Sequence, residues 1–167
     1  MEEKQEYPHY ESIKPLFQKH LAQFFNFLGG EGFDQPEPSI CQLAYINTIP
    51  KGQGWETIAD IQKILPDLCW RDRDDRFLPP LQNLYWQGGV DLPEESGQLS
   101  IKLQNAIQKA GDTPVFRLEI VAQGIGKDRS ISDIWSWFDL AHKWIVRGFA
   151  DLTDREVQIE HWKRTDV

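Results

Sequence analysis

The sequence predicts an α+β fold: an antiparallel sheet of about four strands around a long C-terminal helix, with an amphipathic N-terminal helix alongside, in one domain over residues 1–167. Three stretches carry that prediction. Ser130 to Ala150, SISDIWSWFDLAHKWIVRGFA, wound at the helical period, gathers Ser132, Asp133, Ser136, Asp139, Lys143 and Arg147 into a narrow polar strip. The rest of its circumference is apolar, too wide an arc for a helix that merely lies on a surface, so a sheet is expected to grip it. Next, Leu99, Ile101, Leu103, Asn105 and Ile107 alternate with Ser100, Lys102, Gln104 and Gln108, while Phe116, Leu118, Ile120 and Ala122 alternate with Arg117 and Glu119. Such runs have one wet face each, and Ala110-Gly111-Asp112 joins them as an antiparallel hairpin. Finally, Ile13, Leu16, Phe17, Leu21, Phe24, Phe27 and Leu28 recur at helical spacing ahead of Gly29-Gly30, a helix stop.

Taken in order, Met1 to Glu6 are charged and expected to fray. Pro15 offers the first helix two starts: near Ser12, with the proline in the tolerated first turn, or at Pro8 with a kink. Either start turns the apolar stripe inward. Ile40 to Ile49, apolar at both parities, reads as a central strand that Pro50 ends. A short helix from Trp55 to Leu65 stops at Pro66, and Cys69 to Phe77 is a charged loop. Leu81 to Val90 is a strand with a bend at Gly88-Gly89. Ser130, followed three residues on by Asp133, caps the long helix, and Thr153 with Glu156 forms a capping box for a terminal helix ending near Trp162.

Eighteen basic against 26 acidic residues give a net charge of -8, which repels phosphate backbones and anionic bilayers. The densest basic run, Arg71 to Arg76, is neutralised in place by Asp72, Asp74 and Asp75. Neither nucleic acid nor membrane is an expected partner. No secretory apolar region follows Met1 and no run is long enough to span a bilayer, so Cys41 and Cys69 are expected as free, buried thiols in the cytoplasm.

Candidate sites are few. His142 falls on the helical wheel between Trp135, Phe138 and Phe149, an ionisable ring on an apolar face. It reads either as a core histidine hydrogen-bonded to the sheet or as the polar group of a pocket lined by Trp135 and Phe138. His9, His20 and His161 share no ligand spacing with one another or with the cysteines, so no metal is implied. Gly124 to Ser130, GIGKDRS, lacks a phosphate loop's first glycine, having Val121 in its place, and puts Asp128 where a magnesium-binding hydroxyl belongs. No nucleophile elbow, paired-carboxylate signature or cofactor motif is present, so catalysis has no constellation. Trp55, Trp70, Tyr85 and Trp86 lie near turns or on a strand and have the composition of a binding surface, or else belong to a broad aromatic core.

Tyr7 to Ile13 (YPHYESI), Leu43 to Pro50 (LAYINTIP) and Trp137 to Arg164, with Asp139, His142, Phe149, Leu152-Thr153 and Trp162 in its closing pattern, resemble a sporadically distributed family of uncharacterised prokaryotic proteins. The likeness spans most of the chain and implies no reaction. Members carry further strands before the aromatic-Pro segment, which implies a shortened relative or the later part of a longer product. The family's patchy distribution implies a bacterial defence or toxin-neutralising setting. The expected function is accordingly a non-enzymatic protein-binding subunit whose partner, identical or different, covers a sheet edge. A small-ligand binder with an apolar pocket between sheet and long helix is the alternative, and an enzyme using His142 the third reading.

Overall fold

The structure is a computed structural model describing residues 9–70, 75–109 and 111–164; expectations for Met1 to Glu6, Arg71 to Asp74 and Ala110 lie outside them. The backbone forms two compact units, one ending at Ser39 and one beginning at Ile40.

The first unit contains α1 (Tyr10–Gly30). The helix opens on the His9 carbonyl, which accepts from the backbone N–H groups of Ser12 and Ile13 and from the Ser12 hydroxyl. It closes with the Glu31 N–H on the Phe27 carbonyl. Pro15 lies inside it, past the first turn, so neither start read from the sequence is the observed one. The missing proline N–H leaves the Glu11 carbonyl without its helical donor, and the flanking turns carry the helix through. Of the apolar stripe expected to be buried, Ile13, Leu16, Phe17, Phe24 and Phe27 are 44–61% exposed, while Leu21 and Leu28 are half-buried. Periodicity puts apolar residues on one face, but it does not supply what covers that face.

The second unit runs β1 (Cys41–Pro50), a 3-10 turn at Ile58–Asp60 leading into α2 (Ile61–Ile64), β2 (Tyr85–Asp91), β3 (Gly97–Gln108), β4 (Thr113–Gly124), α3 (Ile131–Leu152) and α4 (Arg155–Glu160). The four strands form one antiparallel sheet in the order β1-β4-β3-β2. With its helices, this is the α+β architecture that the alternating runs predict. β1 is an edge strand, not a central one. Its two-parity apolar content divides into an inner set, Cys41, Leu43, Tyr45 and Ile49, and an outer Ile46 that is 40% exposed.

The core lies between one sheet face and α3. Phe116, Leu118, Ile120 and Ala122 of β4, with Leu99, Ile101 and Leu103 of β3, present the inner layer. α3 lays Ile134, Trp137, Ala141 and Ile145 against β4 and β1. That is a single stripe, so the sheet seats one face of the helix rather than gripping it all round. Trp135, Phe138, Trp144 and Phe149 remain half-buried. Ser130 caps α3 as read, its hydroxyl accepting from the Asp133 N–H at 3.1 Å. α4 departs from the expectation, because Asp154 and not Thr153 accepts from its first turn, at the Val157 N–H, while the Thr153 hydroxyl donates back to the Phe149 carbonyl. At the far end of the hairpin, Gly97 and Gly124 oppose each other so closely that a Cβ on either would run into the facing backbone.

Candidate functional site

Tyr45, on the inner face of the edge strand β1, and His142, on α3, meet at 2.9 Å through the phenol oxygen and the imidazole Nδ1. Their rings sit 5.8 Å apart and tilted. The contact ties β1 to α3 and supplies the strand hydroxyl that the core-histidine reading expects, but His142 is half-buried rather than a core residue. Trp135 and Phe138 flank the same helix face with ring centroids 5.9 Å apart, and Phe138 also meets the edge of Trp137 at 5.2 Å. The residues proposed as a pocket wall therefore stack on one another. Beneath them Ala141, Ile145, Leu118 and Ile120 are 0% exposed, which leaves no water-sized space against those side chains.

The Gly124 to Ser130 loop is occupied from within. The Asp133 carboxylate accepts from the Asp128 N–H at 3.0 Å and sits where a Cβ on Gly126 would run into it. An internal acid thus takes the place an anion would need. Among the described residues no group of three or more His, Cys, Asp or Glu is placed to hold a metal ion. Cys41 is buried, and burial, then the nearby Asp133 charge, pushes its thiol pKa up. Cys69 is exposed rather than buried, its thiol donating to the Gln62 side chain. No described helix is long and apolar enough to cross a membrane.

The aromatic candidates separate. Trp55 is a core residue, 5% exposed, with its indole N–H on the Ile49 carbonyl and its ring against Phe116, so it is unavailable to a partner. Trp70 is half-buried under the Arg76 guanidinium, 4.2 Å from its ring. Tyr85 and Trp86 share β2 but point to opposite faces: Tyr85 is 65% exposed, whereas Trp86 is half-buried and lies over Gly88, where a Cβ would strike its indole. The structure does not gather the four into one patch.

The sequence reading missed a larger surface. The α1 stripe from Ile13 to Phe27, read as core, is the most extended run of exposed apolar side chains among the described residues. Its helical spacing was legible in the sequence, but nothing in that spacing distinguishes a stripe facing the core from one facing solvent. Comparison of the chain with protein-family models, curated proteins and solved structures gives no match.

Proposed function

We propose that the protein is a non-enzymatic protein-binding subunit that docks α1 into an apolar groove of a partner protein. The observation behind this reading is the exposure, by 44–61%, of Ile13, Leu16, Phe17, Phe24 and Phe27 on one side of a 21-residue helix. Contiguous apolar surface of this kind is costly in water and marks interaction sites. The anchors fall at the spacing by which an amphipathic helix fills a groove, and three are phenylalanines, the aromatic type that dominates interface energetics. A bilayer fits less well, because α1 offers only Lys14 and Lys19 as fixed cations on a chain of net charge -8. The closely packed sheet–α3 interface favours this reading over a ligand pocket.

The test is capture from the host, identification of what is bound, and titration of the purified partner against wild type and a Phe24→Asp, Phe27→Asp variant. Loss of two hot-spot anchors should weaken binding by about 30-fold or more. No specific partner, or a partner bound equally by the variant, would reject the reading.

A further inference from the structure

A second surface, independent of α1, is the free edge of β2. In the β2–β3 ladder the Leu92 N–H bonds the Gly97 carbonyl and the Asn105 N–H bonds the Leu84 carbonyl. Both pairs continue the register that sets Tyr85 opposite Gln104 and Asp91 opposite Gln98. Antiparallel bonding alternates residue by residue, so the even-numbered residues of β2 turn their backbone groups toward β3 and the odd-numbered ones turn them outward. The outward N–H and C=O groups are therefore those of Tyr85, Gln87, Gly89 and Asp91. Among the described residues no other strand pairs with them.

Edges are normally guarded by lysine, proline, a bulge or a covering element. From Tyr85 to Val90, β2 has no charged residue and no proline, and its register with β3 runs without a bulge. α3 lies over β4 and β1, on the other side of the sheet's midline. Gly88 and Gly89 supply no side-chain barrier, and they floor an open depression of about 600 Å³ along Gln87 to Asp91 and Gln98 to Ser100.

We propose that β2 pairs antiparallel with β2 of a second copy about a two-fold axis at Gly88, joining the two sheets into one of eight strands. This register satisfies every outward group: Tyr85 opposes Asp91 of the other copy and Gln87 opposes Gly89, each as a doubly hydrogen-bonded pair. On the α3 face Trp86 opposes Val90, which is 48% exposed in the single chain, so apolar meets apolar. On the other face the Tyr85 hydroxyl comes within reach of the Asp91 carboxylate. Gly88 meets Gly88 at the axis, and the Trp86 indole that covers Gly88 in each chain roofs that junction. The only charged residue of β2, Asp91, sits at opposite ends of the paired strands, so no like charges oppose each other. β1, the other edge, is the poorer choice: α3 lies over it, and its two-fold register centred on Tyr45 would set Leu43 opposite Asn47.

Light scattering after gel filtration should give twice the 19.5 kDa chain mass at micromolar concentration. Gln87→Pro removes an outward donor while sparing the bonds to β3, and Val90→Lys places a charge opposite Trp86; each should yield a folded monomer. Val90→Lys keeps the test decisive if the proline variant fails to fold. In wild type, the Gln87 and Gly89 amides should exchange more slowly as protein concentration rises. A wild-type monomer across the micromolar range, or a dimer unaffected by Val90→Lys, overturns the proposal. The Phe24→Asp, Phe27→Asp variant should remain dimeric, whatever becomes of the α1 reading. Loss of the dimer in that variant would place the contact on α1 and also overturn the β2 pairing.

Discussion

His142 shows how far one side chain can be read before its neighbours are known. Its place on the wheel put an imidazole among aromatics and required a polar partner, and the structure supplies the Tyr45 hydroxyl at 2.9 Å. Which strand would supply that partner was not legible, because Tyr45 is 97 residues away in sequence. His142→Ala should destabilise by about 1–3 kcal/mol, the cost of a lost hydrogen bond and a small cavity, read by thermal or urea denaturation. His142→Phe, which keeps volume and loses the bond, should recover part of that. The two thiols differ for a comparable reason. Cys69 is exposed and Cys41 is buried, with its pKa raised first by burial and then by Asp133. A thiol-specific reagent at neutral pH should label Cys69 rapidly and Cys41 only on unfolding. The sign is fixed: a raised folded-state pKa favours the neutral thiol, so Cys41 stabilises the fold below its unfolded pKa, and that contribution fades as alkaline pH passes the folded value.

For the elements, type was easier to read than surroundings. The hairpin was clear because Phe116, Leu118, Ile120 and Ala122 recur at the strand period, and all four are 0% exposed. α3 was clear in extent and cap, yet its apolar arc overstated its burial, since Trp135, Trp144 and Phe149 are only half-covered. β1 was misplaced to the sheet centre because apolar residues at both parities describe equally a buried strand and an edge strand with an exposed Ile46. Trp137 anchors α3: it is 2% exposed, with its indole N–H on the Ser96 carbonyl at 2.8 Å. Trp137→Ala should cost about 3–5 kcal/mol and leave that carbonyl unpaired. Trp144→Ala should cost clearly less, and denaturant melts that ranked the two the other way would contradict the seating of α3. Removing the α4 cap with Asp154→Ala should cost about 1 kcal/mol in the same assay.

At the scale of the molecule, the division at Ser39 has a measurable meaning. The buried core cluster runs from Cys41 to Ile145 and lies entirely within the second unit. The segment from Phe33 to Ile40 that precedes it has no regular structure and is largely exposed. Limited proteolysis with a glutamate-specific protease should cut at Glu31 or Glu37 and leave a fragment that still melts cooperatively. A fragment that unfolded on cleavage would show that the second unit is not stable by itself. The sequence did not reveal this division, because the turn-rich passage from Gly29 to Pro38 reads equally well as a loop within one domain.

The strand order β1-β4-β3-β2 also predicts a sequence of events in folding. β2, β3 and β4 are chain neighbours and can zip as a meander, whereas β1 must close a loop that contains both β2 and β3 before Pro50 can meet Val115. Loop closure of that length makes β1 the late arrival. Until it docks, the open edge belongs to β4, whose Val115, Phe116, Leu118, Ile120, Val121 and Ala122 are all buried in the finished sheet. The strand that becomes the most sheltered in the molecule is thus its stickiest while the chain is young, and any brake on β1 arrival lengthens the interval in which unfinished chains can aggregate through it.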